Sequence, residues 1–120
     1  MVEVHPVDKA EAEALATRLG TKIPTRAMRM QRGGEEIGYV LYTVEGAVTE
    51  LTALFSKDES LEELLVRAFL NDAANADATD AVCANPTVFP LLERLGFHRT
   101  QNGFEIFIPE FFLRPCSGCH

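Results

Sequence analysis

With 120 residues, 47% of them hydrophobic and 24% charged, the chain is sized for one domain with its own core and is too apolar to be disordered. Its formal net charge of −7, with no stripe of Lys or Arg, argues against a nucleic-acid partner, because phosphate binding needs clustered cations to displace counterions. No apolar run reaches the roughly 18 residues that cross a bilayer, and Met1–Pro6 lacks a basic start followed by an apolar stretch, so the expectation is a cytoplasmic protein with neither secretory signal nor membrane partner.

Val2 to Val7 alternates apolar and polar residues and predicts a strand. Asp8, with Glu11 three residues on, predicts a helix cap, and the helix runs to Leu19 before Gly20 ends it. Ala12, Leu15, Ala16 and Leu19 form its expected buried stripe, and Ile23-Pro24 prevents continuation. Ala27 to Arg32 reads as a strand turned by Gly33-Gly34. Ile37 to Val44 is aromatic and β-branched on both faces, as an interior strand is, and Glu45-Gly46 turns it into Ala47–Phe55.

Ser60-Leu61-Glu62-Glu63 has the form of a capping box, opening a helix to about Asn75 with Leu61, Leu64, Leu65, Ala68 and Phe69 on its inner face. Thr79–Ala84 is a short strand containing Cys83. A helix follows with Thr87 as its expected cap, since Pro90 fits only in a first turn whose N–H groups lack partners. Val88, Leu91, Leu92 and Leu95 are its buried set and Gly96 its end. Phe97–Gln101 and Phe104–Ile108 flank Asn102-Gly103, a two-residue hairpin signal. Residues 1–113 thus form the domain and 114–120 an aperiodic tail.

Three cysteines cannot close a disulfide set within one chain, so free thiols, metal ligands or redox groups are expected. The tail holds two of them in Cys116-Ser117-Gly118-Cys119-His120. That spacing lets Cys116 and Cys119 meet one ion, with His120 as a third ligand and zinc as the metal suited to soft donors. A fourth ligand would come from Cys83, His5, His98 or a second chain, the last implying a homodimer. The same string also reads as a dithiol redox pair, as a c-type haem attachment sequence, or as a tail whose thiols do nothing.

The order strand, helix, three-strand meander, helix, strand, helix, hairpin, together with Asn85 and the helix ending Leu95-Gly96-Phe97, resembles the GNAT superfamily of N-acetyltransferases. The resemblance covers Val2 to Phe112, with one helix between the first two strands where that family usually has two. It implies an α+β fold: a mixed, mostly antiparallel central sheet with helices on both faces. Thr79–Ala84 should lie parallel to Ala47–Phe55, because the helix between them is a crossover.

The resemblance also implies an acetyl-CoA or CoA site in a splay between the fourth and fifth strands. Backbone at Thr52, Ala53, Leu54 and Phe55 would pair with the pantetheine arm, with Asn85 beside it, and Glu50 stands where some members place a general base. Glu50 equally reads as an outward-facing strand carboxylate. Cys83 reads as a small hydrophobe or as a thiol nucleophile. Tyr39 and Tyr42 read as packing aromatics with wet hydroxyls. Two departures follow. The family's Gly-rich pyrophosphate turn is replaced by Ser56-Lys57-Asp58-Glu59-Ser60, which reads as a self-capped helix start. Leu92 stands where the family often has a proton-donating Tyr. The expected function is therefore a GNAT-fold module binding a small molecule, a metal or a partner. The alternative is an acyl-CoA-dependent N-acyltransferase acting on a small amine or protein amine.

Overall fold

The computed structural model describes residues 1–21 and 26–113. Within them the chain forms β1 (Val2–Pro6), α1 (Lys9–Leu19), β2 (Arg26–Arg32), β3 (Glu35–Glu45), β4 (Val48–Ser56), α2 (Glu62–Asn75), β5 (Asp80–Cys83), α3 (Phe89–Arg94), β6 (His98–Thr100), β7 (Gly103–Phe107) and α4 (Ile108–Leu113). The strands make one seven-stranded sheet ordered β1-β2-β3-β4-β5-β7-β6. Every neighbouring pair is antiparallel except β4 and β5, which run parallel, as the crossover through α2 requires.

The expected α+β arrangement is present, with helices on both faces of a mostly antiparallel sheet. On one face α1 lays Ala12, Leu15 and Ala16 against Ala27, Leu41 and Ala53. On the other, α2, α3 and α4 close the main core through Phe69, Leu70, Leu91, Leu92 and Phe111, packed over Tyr42, Leu51, Ala81, Phe104 and Ile106. Withdrawing this apolar surface from water is what chiefly holds the layers together.

Local signals explain most element ends. The Asp8 carboxylate accepts from the Glu11 N–H at 2.8 Å, and Gly20 closes α1 in the left-handed conformation at φ 70°. Gly33 and Gly34 both have positive φ, 59° and 85°, which is the two-residue turn that matches the twist of β2 and β3.

Several expectations shift. Leu19 is 37% exposed and Leu64 39%, so neither belongs to a buried stripe. The inner face of α2 is instead Leu65, Val66, Phe69, Leu70 and Ala73. Ser60 does not cap α2, because a single 3-10 turn, Glu59–Leu61, precedes the helix and Asp58 caps that turn. Likewise Thr87 is not the cap of α3. Asn85 caps a 3-10 turn, Pro86–Val88, and the helix continues from it. Two hairpin loops slide by one residue, since Glu45 pairs with Val48 across Gly46-Ala47, and Thr100 with Gly103 across Gln101-Asn102. Gly103 is therefore a strand residue, and a Cβ there would stand 2.1 Å from the Cys83 carbonyl oxygen. β7 stops at Phe107, and Ile108–Leu113 winds into α4, burying Ile108 and Phe111.

Candidate functional site

β4 and β5 pair from Val48↔Asp80 to Leu51↔Cys83, and there the ladder ends while β4 continues to Ser56. Two local features create the divergence. Leu41 faces Ala53 and Tyr42 faces Leu51, so Thr52 is the extra residue of a β-bulge, and its hydroxyl donates to the Leu41 carbonyl at 3.0 Å. On the other side the chain turns out of β5 at Ala84 into the Asn85 cap. The Asn85 side chain spans the gap: its amide nitrogen donates to the Thr52 carbonyl at 2.9 Å, and its oxygen accepts from the Thr87 N–H at 3.1 Å.

Two cavities open at this divergence. One, of about 200 Å³, is lined by Thr21, Glu50, Leu51, Thr52, Ala84 and Asn85. The other, of about 290 Å³, lies over β5 and β7 and includes Glu50, Val82, Ala84, Thr100, Asn102 and Glu105 in its wall. Glu50 and Ala84 belong to both. Glu50 is half-buried, so its carboxylate is neither a simple outward strand charge nor a core group.

The structure thus brings Glu50, Thr52 and Asn85 together. Ala53 faces α1, Leu54 packs against the main core, and the Phe55 ring lies 5.6 Å from that of Tyr39. None of these three lines either cavity. Cys83 also borders the second cavity, but it is only 2% exposed, and burial pushes its thiol up, with the Asn85 carbonyl opposing and the Glu50 charge adding to the rise. A thiol held protonated is a poor nucleophile. The sequence pattern does not single out Thr21, Val82, Thr100, Asn102 or Glu105. Nothing in a linear pattern signals that Glu50, Val82 and Glu105 fall in one row across three strands.

Tyr42 departs from expectation. It is 1% exposed, and its hydroxyl donates to Asp72 at 2.7 Å, which in turn pairs with Arg26 at 3.1 Å, so the hydroxyl is not wet. Burial first, and the Asp72 carboxylate second, push its phenol far above the usual range. Cys116, Cys119 and His120 lie outside the described residues. Among the described residues there is no group of three or more His, Cys, Asp or Glu side chains that could hold a metal ion. His5 and His98 sit instead beside Glu3 and Glu110, at 3.9 and 3.6 Å. No helix among the described residues is long and apolar enough to cross a membrane.

No family model matches the chain, and no curated protein does. Solved structures do. The ribosomal-protein-S18-alanine N-acetyltransferase of Escherichia coli is similar with a TM-score of 0.66 and 11% identity, over 90% of this chain and 94% of that one. A GNAT family acetyltransferase of Brucella melitensis, in complex with acetyl-CoA, is similar at 0.65 and 11%, over 89% and 88%. The chain has the GNAT fold. N-acetylglutamate synthase of Neisseria gonorrhoeae, complexed with coenzyme A and N-acetyl-glutamate, aligns at 0.63 and 11% identity over 84% of this chain, which spans 29% of that longer protein.

The turn before α2 is held by hydrogen bonds of its own. The Asp58 carboxylate accepts from the Ser60 N–H at 3.0 Å and from the Ser60 hydroxyl at 2.6 Å, and the Ser56 hydroxyl donates to the Asp58 carbonyl at 2.7 Å. These hydrogen bonds from Ser60, with Arg32 adding less, hold the Asp58 carboxyl below its usual range. The turn is closed on its own side chains. Leu92, where the family often has a tyrosine, is fully buried in the core.

Proposed function

We propose that this GNAT-fold chain is a small-molecule-binding module whose ligand occupies the paired cavities at Glu50, rather than an efficient acetyl-CoA enzyme. The observation that carries this reading is the pair of cavities meeting at Glu50 where β4 and β5 part. Concave, mixed polar and apolar walls at a break in the sheet are the usual place for a ligand. That two of these similar structures are complexed with coenzyme A and N-acetyl-glutamate or with acetyl-CoA supports a small molecule as the occupant.

Coenzyme A fits this chain only in part. A pantetheine arm would find unpaired β4 edge beyond Leu51. A pyrophosphate would find Asp58 already on the Ser60 N–H and a second acid, Glu59, beside it, in a turn without glycine. Anions bind helix starts through free N–H groups, and here a carboxylate of the chain already serves that role. The nucleotide end therefore does not fit.

A second reading, N-acyl transfer, rests on Glu50 bordering both cavities. A carboxylate there is placed to take a proton from an amine held in the larger one, which is what a general base must reach. Calorimetry with acetyl-CoA separates the two. The expected dissociation constant is above about 1 mM, less than about 4 kcal/mol of binding. Micromolar binding would overturn the closed-turn reading and establish the transferase one.

A further inference from the structure

The cleft leaves one motif of the sequence unused, Cys116-Ser117-Gly118-Cys119-His120. These residues lie outside the described ones, and what bears on them is their spacing and the length of chain that joins them to α4. Two thiolates three positions apart and a neighbouring imidazole supply three donors to one ion and leave a tetrahedral site one ligand short. The fold decides which side chain can complete it. Cys83 is sealed in the main core at 2% exposure. His5 stands on β1, at the far edge of the sheet, six strand spacings of about 4.8 Å from β6. Cys116 is three residues past Leu113 and reaches at most about 11 Å from it, so His5 is out of range. His98 is within range. It lies on the edge strand β6, and its Nε2 stands 3.6 Å from Oε1 of Glu110 on α4. Glu110 precedes Leu113 by three residues, about 4.5 Å of helical rise, so the imidazole sits at the root of the segment that carries the thiols. A carboxylate beside one ring nitrogen leaves the other, Nδ1, for a metal, and metal-bound histidines commonly carry such a partner.

We infer that Cys116, Cys119, His120 and His98 bind one zinc ion, with Glu110 orienting the His98 ring. On binding, the two thiols each release a proton, and two thiolates with two neutral imidazoles balance the charge of the dication. Sulfur and imidazole donors suit zinc and not the hard ions calcium or magnesium. Four protein ligands fill the tetrahedron and leave no open position for a substrate, so the ion is structural. It ties residues 116–120 to β6, the outermost strand of the sheet. The site shares no residue with the cavities at Glu50 and stands apart from the function proposed for them.

The test is a zinc titration of the full chain, purified without a histidine tag and kept reduced, against a competing chelator, with cobalt(II) as a spectroscopic probe. One zinc per chain and the cobalt bands of a tetrahedral thiolate site are expected. His98→Ala, checked for an unchanged amide spectrum away from β6, should bind zinc at least about 10-fold more weakly, and His5→Ala like the parent. Zinc should also move the ring-nitrogen signals of His98 in the folded chain and leave those of His5 in place. Cys116→Ser/Cys119→Ser should bind no zinc. A His98→Ala variant that binds like the parent would overturn the assignment of the fourth ligand. A zinc-dependent dimer in sedimentation would place that ligand on a second copy and overturn the one-chain site. Zinc held equally by Cys116→Ser/Cys119→Ser, or a parent dissociation constant above about 10 μM, would end the metal reading.

Discussion

Desolvation governs what Cys83 can do. Its sulfur sits in the main core at 2% exposure, and removing water from a thiolate costs more than the nearby Asn85 carbonyl contact returns, so the neutral thiol is the folded form. A thiol raised in the folded state above its ordinary value of 9.0 reacts as thiolate only at higher pH than a free cysteine does. In a Cys116→Ser/Cys119→Ser background, alkylation of Cys83 by iodoacetamide at pH 8 should run at least about 10-fold slower than in the urea-unfolded chain. A folded rate equal to the unfolded one would return Cys83 to the candidate nucleophiles. Of the residues lining the candidate site, Glu50 was singled out in the sequence because the family resemblance marks its strand position. Glu105 was not: in sequence it is an ordinary outward residue between Phe104 and Ile106, and only the register across β5 sets it opposite Glu50.

At the scale of elements, Asn85 is both a helix start and a strand tie. Its oxygen receives the Thr87 N–H, and its nitrogen reaches across to β4. The two roles separate by mutation. Asn85→Asp keeps the acceptor for Thr87 but turns a carboxylate toward the Thr52 carbonyl, whereas Asn85→Ala removes both bonds. Urea unfolding should show Asn85→Ala less stable by about 1–2 kcal/mol. Asn85→Asp should also be destabilised, and by more at neutral pH than at pH 3, where its protonated form can donate. An Asp variant as stable as the parent at pH 7 would show that the tie to Thr52 contributes nothing. The same geometry explains two misplaced caps. At both α2 and α3 an Asx side chain, Asp58 or Asn85, takes the N–H two residues on and starts a 3-10 turn before the α-helix begins. Ser60 and Thr87, each a plausible cap by composition, stand two residues too late, because the short Asx side chain competes for the backbone first.

For the whole molecule, the order of layers was legible and their fine fit was not. Glycine turns and the single long crossover specify which strands are neighbours and why only β4 and β5 are parallel. The bulge at Thr52, the one-residue slide of two hairpin loops and the α4 helix come from packing that no local pattern encodes. The divergence of β4 and β5 carries a mechanical consequence. It joins a four-stranded half, β1 to β4, to a three-stranded half, β5 to β7, by a ladder of only four residue pairs, with the Asn85 amide and the shared core adding to the join. Each half has its own hairpins, so this join is the natural tear line of the sheet. Amide exchange in β5 should be faster than in β3, which is flanked on both edges by long ladders. Equal protection in the two strands would mean that the sheet opens as one body. A molecule seated across the tear would act as a rivet. At 100 times its dissociation constant it would hold the halves together by about 2.7 kcal/mol, so occupancy could be read as slowed exchange in β5 without any knowledge of the chemistry performed there.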